Sequence, residues 1–296
     1  PRPKPSEPFQ IEPPMVPQFL PQGLNTYLIN LDRATGRLRR MEEKLAAIGL
    51  PFERVPAVDG SSLTFPHPDF DAWSYRHLHG RRVIPAEVGC YLSHVECARR
   101  LLASEASHAL ILEDDVSFAP DFLPVLRAAM QDGSWDILRL STVNKGPKFG
   151  YQALPGGRQL AKALTREKGA GAYVINRAAA EWITGKLMPM RLAYDIAFDL
   201  EYLDGLRAAF VDPVPTEQRD ETISQIQNNI NAAKYPATRY LTVLPYRAWL
   251  EATRLAFRAG HLAYLRLDAM PQGHWLKAAV LAGAVILGIE EIVEQF

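Results

Sequence analysis

Residues 109–118, ALILEDDVSF, constrain this chain more than any other stretch. Ala109, Leu110, Ile111 and Leu112 form the short apolar run of a fully buried strand. Three acids, Glu113, Asp114 and Asp115, follow without a spacer. Carboxylates at the exit of a buried strand are costly unless something neutralises them. A divalent cation holding phosphate oxygens is one neutraliser, because Mg2+ and Mn2+ take carboxylate oxygens together with those of a substrate's phosphates. The alternative is an acidic turn facing water. The strand in front of the triplet favours the cation.

The N-terminal part reads as a strand–helix–strand unit. Residues 26–31 (TYLINL) are the first strand, and residues 52–58 (FERVPAV) the second. Between them Leu38, Met41, Leu45 and Ile48 recur at helical spacing, and Gly49-Leu50-Pro51 stops the helix. Such a unit predicts an α/β fold with parallel strands. Ligands of such sheets bind beyond the carboxyl ends of the strands, where the turn at residues 30–37 lies.

Residues 59–84 lose all period but carry Phe65, Phe70, Trp73 and Tyr75, then Arg76, His77, His79, Arg81 and Arg82. This loop either grips a sugar or phosphate beside a cleft or is a solvated connection. A helix spans about 85–104, with Pro85 and Glu87 suited to its first turn. After the acid triplet the pattern predicts a helix from about Pro120, a strand at 135–140 and a mobile loop at 141–157. A strand at 172–175, a helix to Thr184, a helix at 194–203 and a strand at 207–211 complete this part.

The 296 residues, 48% hydrophobic, suffice for one large domain with appendages. We divide them into a Pro-rich extended tail (1–23), an α/β domain (24–235) and a helical extension (236–296) whose pattern gives helices at 246–258 and 260–268. Lys+Arg 33 against Asp+Glu 33 leaves a formal net charge of +0, which gives nucleic-acid binding no global support. Cys90 and Cys97 lie seven apart in a helical segment, roughly 10 Å, too far for a disulfide. Reduced cysteines suit a cytosolic compartment. No signal peptide is legible, and the start PRPKPSEP has the look of a processed or truncated end. The apolar run 278–289 is too short to span a membrane. It reads as a buried helix or, with Trp275 and Lys277 beside it, as an interfacial one.

Four phrases in fixed order carry a resemblance: residues 27–41 (YLINLDRATGRLRRM), 52–60 (FERVPAVDG), 85–94 (PAEVGCYLSH) and 110–116 (LILEDDV). Their succession resembles glycosyltransferase family 25, the lipopolysaccharide and lipooligosaccharide biosynthesis glycosyltransferases, with relatives among collagen-modifying galactosyltransferases. The match spans roughly residues 24–230. It implies a GT-A-type nucleotide-sugar fold, with a mixed, mostly parallel sheet flanked by helices. It also implies a UDP-sugar donor, often UDP-galactose, inversion at the anomeric carbon, and Mn2+ or Mg2+.

Carried over by resemblance, Asp115 is the metal ligand, Asp114 a ribose or metal contact and Glu113 a supporting acid. Leu28, Ile29 and Asn30 end the strand where a uridine would lie. Arg33 and Arg37 follow, facing a diphosphate or simply solvent. Ser93 and His94 face the cleft or buttress it. Asp195 is the candidate base that takes the acceptor hydroxyl's proton, or else it pairs with an arginine such as Arg191 and only shapes the acceptor pocket. Asp199, one turn on, would share its face. Gly169 and Gly171 allow close backbone approach to the donor or serve a turn, and Gln218 and Ser224 come near the phosphates. The family pattern identifies no second metal ligand.

The function expected is an inverting, metal-dependent transfer of a sugar from a UDP-sugar to a hydroxyl of a glycolipid or oligosaccharide. A metal phosphohydrolase would need more His and Asp ligands than the chain clusters. A catalytically degenerate relative acting as a binding or scaffolding module is the non-enzymatic alternative. The expected location is cytoplasmic, with peripheral contact to the inner membrane surface through the C-terminal helices.

Overall fold

A computed structural model describes residues 21–144, 146–218 and 233–268. Most of the tail, Ser224, Trp275, Lys277 and the run 278–289 lie outside these residues. The elements are β1 (Leu24–Asn30), α1 (Thr35–Ala47), β2 (Glu53–Pro56), α2 (Ala72–Ser74), α3 (Pro85–Ala103), β3 (His108–Glu113) and β4 (Val116–Phe118). Then come α4 (Phe122–Met130), β5 (Ile137–Arg139), β6 (Lys148–Ala153), β7 (Gln159–Ala163), β8 (Ala172–Asn176), α5 (Arg177–Gly185) and α6 (Tyr194–Ala197). The last are β9 (Ala208–Asp212), β10 (Thr216–Gln218) and α7 (Tyr240–Asp268).

Eight strands form one sheet in the order β2-β1-β3-β8-β5-β9-β7-β6. Strand β1 pairs in parallel with β2 and β3, and β5 with β9. Strand β8 runs against both β3 and β5, and β7 against both β9 and β6. Six strands therefore share one direction, and the expected α/β fold with a mixed, mostly parallel sheet flanked by helices is the one present.

Period-two alternation sends the side chains of the central strands into two cores. Tyr27, Ile29, Ala109 and Ile111 pack with Val88, Tyr91 and Val95 of α3 and Trp182 of α5. Leu28, Leu110 and Leu112 pack with Met41 and Leu45 of α1 and with Phe122 and Val125 of α4 on the other face. Strand β3 is covered on both faces and paired on both edges, so its carboxyl end is held firmly. Helix α3 lies so close to the segment after β2 that a Cβ on Gly89 would overlap the Val58 carbonyl. Two of the phrases that carry the resemblance meet at this contact.

Several expectations are corrected. The loop expected at 141–157 contains β6, which forms an antiparallel hairpin with β7. Its residues are half-buried or exposed at the sheet edge, so no apolar period marks it. The acid triplet is followed by the short strand β4, which pairs with β10. The helix expected at 194–203 is α6 continued by a 3-10 turn at Phe198–Asp204. The two helices expected at 246–258 and 260–268 are one helix of 29 residues. The unpatterned loop 59–84 includes a π-helical turn at Tyr75–His79 whose Tyr75 and His79 are buried.

Candidate active site

The acid triplet forms the turn between β3 and β4, and its three carboxylates divide into two groups. Gln218, brought over the turn by the β4–β10 pairing, donates from Nε2 to Glu113 Oε2 at 2.9 Å and to Asp115 Oδ1 at 3.5 Å. The other Glu113 oxygen lies 3.2 Å from His94 Nε2. His94 is 1% exposed; its Nδ1 is 2.8 Å from the Tyr173 hydroxyl, and its ring stacks on Tyr194 at 4.2 Å. Asp114 turns toward α1, accepting from Asn30 Nδ2 at 2.6 Å and standing 3.3 Å from Arg37 Nε. The register that sets Ile29 beside Glu113 brings Asn30 to this turn.

Burial, and then the neighbouring Glu113 charge, push the Asp115 carboxyl up to about 6. Burial also raises Asp114, with the Asn30 hydrogen bond and the Arg37 charge pulling it back. Glu113 and Asp115 thus present converging, partly desolvated oxygens beside each other. That donor set fits a hard divalent cation.

Glu113 and Gln218 also line a cleft of about 270 Å3, together with His79, Arg81, Glu87, Cys90, Lys168, Gly169, Tyr194 and Asp195. Asp195 is half-buried in α6, and burial lifts its carboxyl above the ordinary range against the charges of Lys168 and Arg139. Glu87, raised by burial, accepts from Tyr75 and pairs with Arg81 at 3.3 Å. A wider depression of about 480 Å3 between the β6–β7 hairpin and Arg266 includes none of these acids in its lining.

The fold brings Asn30, Arg37, Asp114, Glu113, Asp115, His94, Gly171 and Gln218 to one place. The Gly171 carbonyl accepts from the Glu113 amide at 2.8 Å. Arg33 instead pairs with Asp59. The Leu28 and Ile29 side chains enter the two cores, so only their backbone is left for a ligand. Ser93 is buried, donating to the Gly89 carbonyl at 2.7 Å and accepting from the Val58 amide at 2.9 Å, so it fastens α3 to the segment after β2. Arg191 donates to the Lys186 and Met188 carbonyls and forms no ion pair with Asp195 among the described residues. Asp199 does not share the cleft with Asp195: it is fully buried, ion-paired to Arg254 at 3.0 Å and to Arg258 at 2.9 Å.

Two cleft residues escape a reading of the sequence. Lys168 sits in a stretch with no period. Cys90, read only for its redox state, is a free thiol whose sulfur lies within 4.8 Å of ligand atoms on His94 and Glu113. Its position four residues before His94 on α3 was the available signal.

The family model "Glycosyltransferase family 25 (LPS biosynthesis protein)" matches residues 24–198. A glycosyltransferase 25 family member of Anopheles gambiae is 35% identical over 123 residues, 38% of this chain and 20% of the relative. Procollagen galactosyltransferase 2 of Mus musculus is 28% identical over 181 residues, 55% of this chain and 28% of the relative. A probable inactive glycosyltransferase 25 family member 3 of Rattus norvegicus is 31% identical over 142 residues, 44% of this chain and 25% of the relative. The matched part is thus between a fifth and about a quarter of each relative's length. A solved glycosyltransferase involved in glycosylation of the major capsid of PBCV-1 is 12% identical with TM-score 0.29, covering 54% of this chain and 62% of that one. So distant a likeness carries no argument.

Proposed function

The chain belongs to glycosyltransferase family 25, and from that premise we propose that it moves a hexosyl group, galactose being the first candidate, from a UDP-sugar to a hydroxyl of a lipopolysaccharide, lipooligosaccharide or related glycan. The observation that carries this reading is the convergence of Glu113 and Asp115 on Gln218, at the rim of a cleft that also holds Asp195.

Asp115 and Glu113 would hold the Mn2+ or Mg2+. When bound, that ion would supply positive charge to the diphosphate leaving group. Asn30 and Arg37 orient Asp114 toward the ribose. Asp195 accepts the proton of the acceptor hydroxyl as its oxygen attacks the anomeric carbon. The bond from that carbon to the diphosphate oxygen breaks, the configuration inverts, and UDP leaves with the electron pair. A carboxyl raised above its ordinary range is a stronger base for this task.

The test is UDP release and thermal stability of the full chain with UDP-sugars, Mn2+ and a panel of glycan acceptors. Metal-dependent stabilisation by UDP and acceptor-dependent release, both lost in Asp115→Ala, are expected. Undiminished release by that variant would overturn the assignment. The inactive relative motivates a second reading, a nucleotide-sugar-binding module, which predicts stabilisation without release on every acceptor. The proposed location is cytoplasmic and peripheral to the membrane. Exposed Leu241, Leu244, Trp249 and Leu255 on α7 support the peripheral contact, and no described helix is long and apolar enough to cross a membrane.

A further inference from the structure

We propose that the acceptor carries an anionic group, a phosphate or a carboxylate, and that Arg81, Arg166, Lys168 and Arg247 hold it beside Asp195. This rests on the transferase reading above and adds the chemical class of the acceptor.

The four cations come from three separate parts of the chain. Arg81 follows the π-helical turn, Arg166 and Lys168 lie between β7 and β8, and Arg247 is on α7. All four are half-buried. Arg81 has Glu87 as its acid; Arg166, Lys168 and Arg247 form no ion pair among the described residues. Arg81 and Lys168 line the cleft itself. Lys168 is depressed by burial and then by Arg166, and Arg247 by burial and then by Arg166 and Arg81. Gathering like charges in a half-buried place costs energy unless an anion offsets it.

An independent observation points the same way. His79 lines the cleft at 4% exposure, and its Nε2 has no hydrogen-bond partner among the described residues. Burial, and after it the charges of Arg81, Arg247, Arg166 and Lys168, push this imidazole down to about 3, so it is neutral. A buried, neutral imidazole among cations is suited to donate one N–H to an anionic oxygen. Asp195, Glu87 and Glu113 are the acids that line the cleft with this group, and Lys168 is the cation that acts most strongly on Asp195. Whatever the cations bind therefore lies next to the proposed base, where the acceptor belongs. The donor diphosphate belongs at the acid turn, beside Arg37.

The experiment compares N-acetylglucosamine with its 6-phosphate, and glucose with glucuronate, as acceptors for the full chain. The anionic member of each pair is expected to show KM lower by roughly tenfold, a gap that narrows with added salt. Arg166→Ala and Arg247→Ala, on separate elements, are each expected to raise that KM by roughly tenfold while changing donor KM less than about twofold. Equal KM within each pair, or an increase in donor KM instead, would overturn the proposal. If no acceptor supports UDP release, the transferase reading fails. The anion site then stands or falls on whether N-acetylglucosamine 6-phosphate, and not the neutral sugar, raises the melting temperature in a way that Arg247→Ala abolishes.

Discussion

A Cβ on Gly171 would lie 2.5 Å from Nε2 of Gln218, the same nitrogen that donates to Glu113 at 2.9 Å. The glycine before β8 thus leaves room for the amide that braces the acid turn. Gly171→Ala must displace the end of Gln218 and loosen Glu113 and Asp115. The expected result is a rise of roughly tenfold in the Mn2+ concentration needed for UDP binding, as when an outer-shell partner of a metal ligand is lost. Gln218→Ala should do the same, and the double variant no worse than either single one. Metal titration of all three checks this, and additive losses would contradict a shared cause.

Asp115 is expected to give the molecule opposite pH responses with and without the proposed cation. Its carboxyl sits near 6 in the folded chain against an ordinary 3.8, so between these values the folded state holds more protons than the unfolded. Without metal, this contribution to stability is present at low pH and is lost as pH rises through about 6. The proposed metal binding should run the other way, since its ligand must be deprotonated, and weaken below about pH 6. Asp115→Asn should flatten both trends, measured by melting temperature and by Mn2+ titration between about pH 4 and 7.

The acid turn was legible because a continuous apolar run followed by three acids has few explanations, and the fold buries that run on both faces. The βαβ start was legible because Leu38, Met41, Leu45 and Ile48 mark one helix face. What stayed hidden lacks an apolar period. Strand β6 is a polar edge, and β4 and β10 are three residues each and defined by pairing with one another. The cations around His79 are scattered from residue 81 to 247, and only the tertiary fold assembles them. Asp195 and Asp199 looked equivalent at helical spacing, but the 3-10 turn after Ala197 sends Asp199 into the protein.

Asp195 is expected to govern turnover and leave donor binding alone. It lines the cleft beside Glu113 but is distinct from the Gln218-braced turn. Asp195→Asn keeps the size and removes the proposed base, so kcat should fall by roughly 10^2 to 10^4 while metal-dependent UDP binding persists. Because burial raises this carboxyl, the acidic limb of the wild-type kcat profile should lie above the ordinary carboxylate range. Loss of UDP binding in the variant would move Asp195 from the acceptor to the donor.

Asp199 ties α7 to the sheet domain. Its carboxylate is fully buried, 3.6 Å from Arg139, 3.0 Å from Arg254 and 2.9 Å from Arg258, and Arg258 also reaches Glu201 at 2.7 Å. Arg258 further donates to the Ala163 carbonyl at the end of β7. Removing the one acid shared by three buried guanidiniums leaves two of them without a described acid in the interior, since Glu251, the other partner of Arg254, is half exposed. Asp199→Ala is therefore expected to cost about 3–5 kcal/mol, a fall of roughly 10 °C or more in melting temperature. Asp115→Ala, which relieves repulsion between neighbouring acids, should not lower it. Thermal melts of the two variants side by side separate the role of holding the helix from the proposed one of holding the donor. Equal losses would mean that the acid turn also carries the fold.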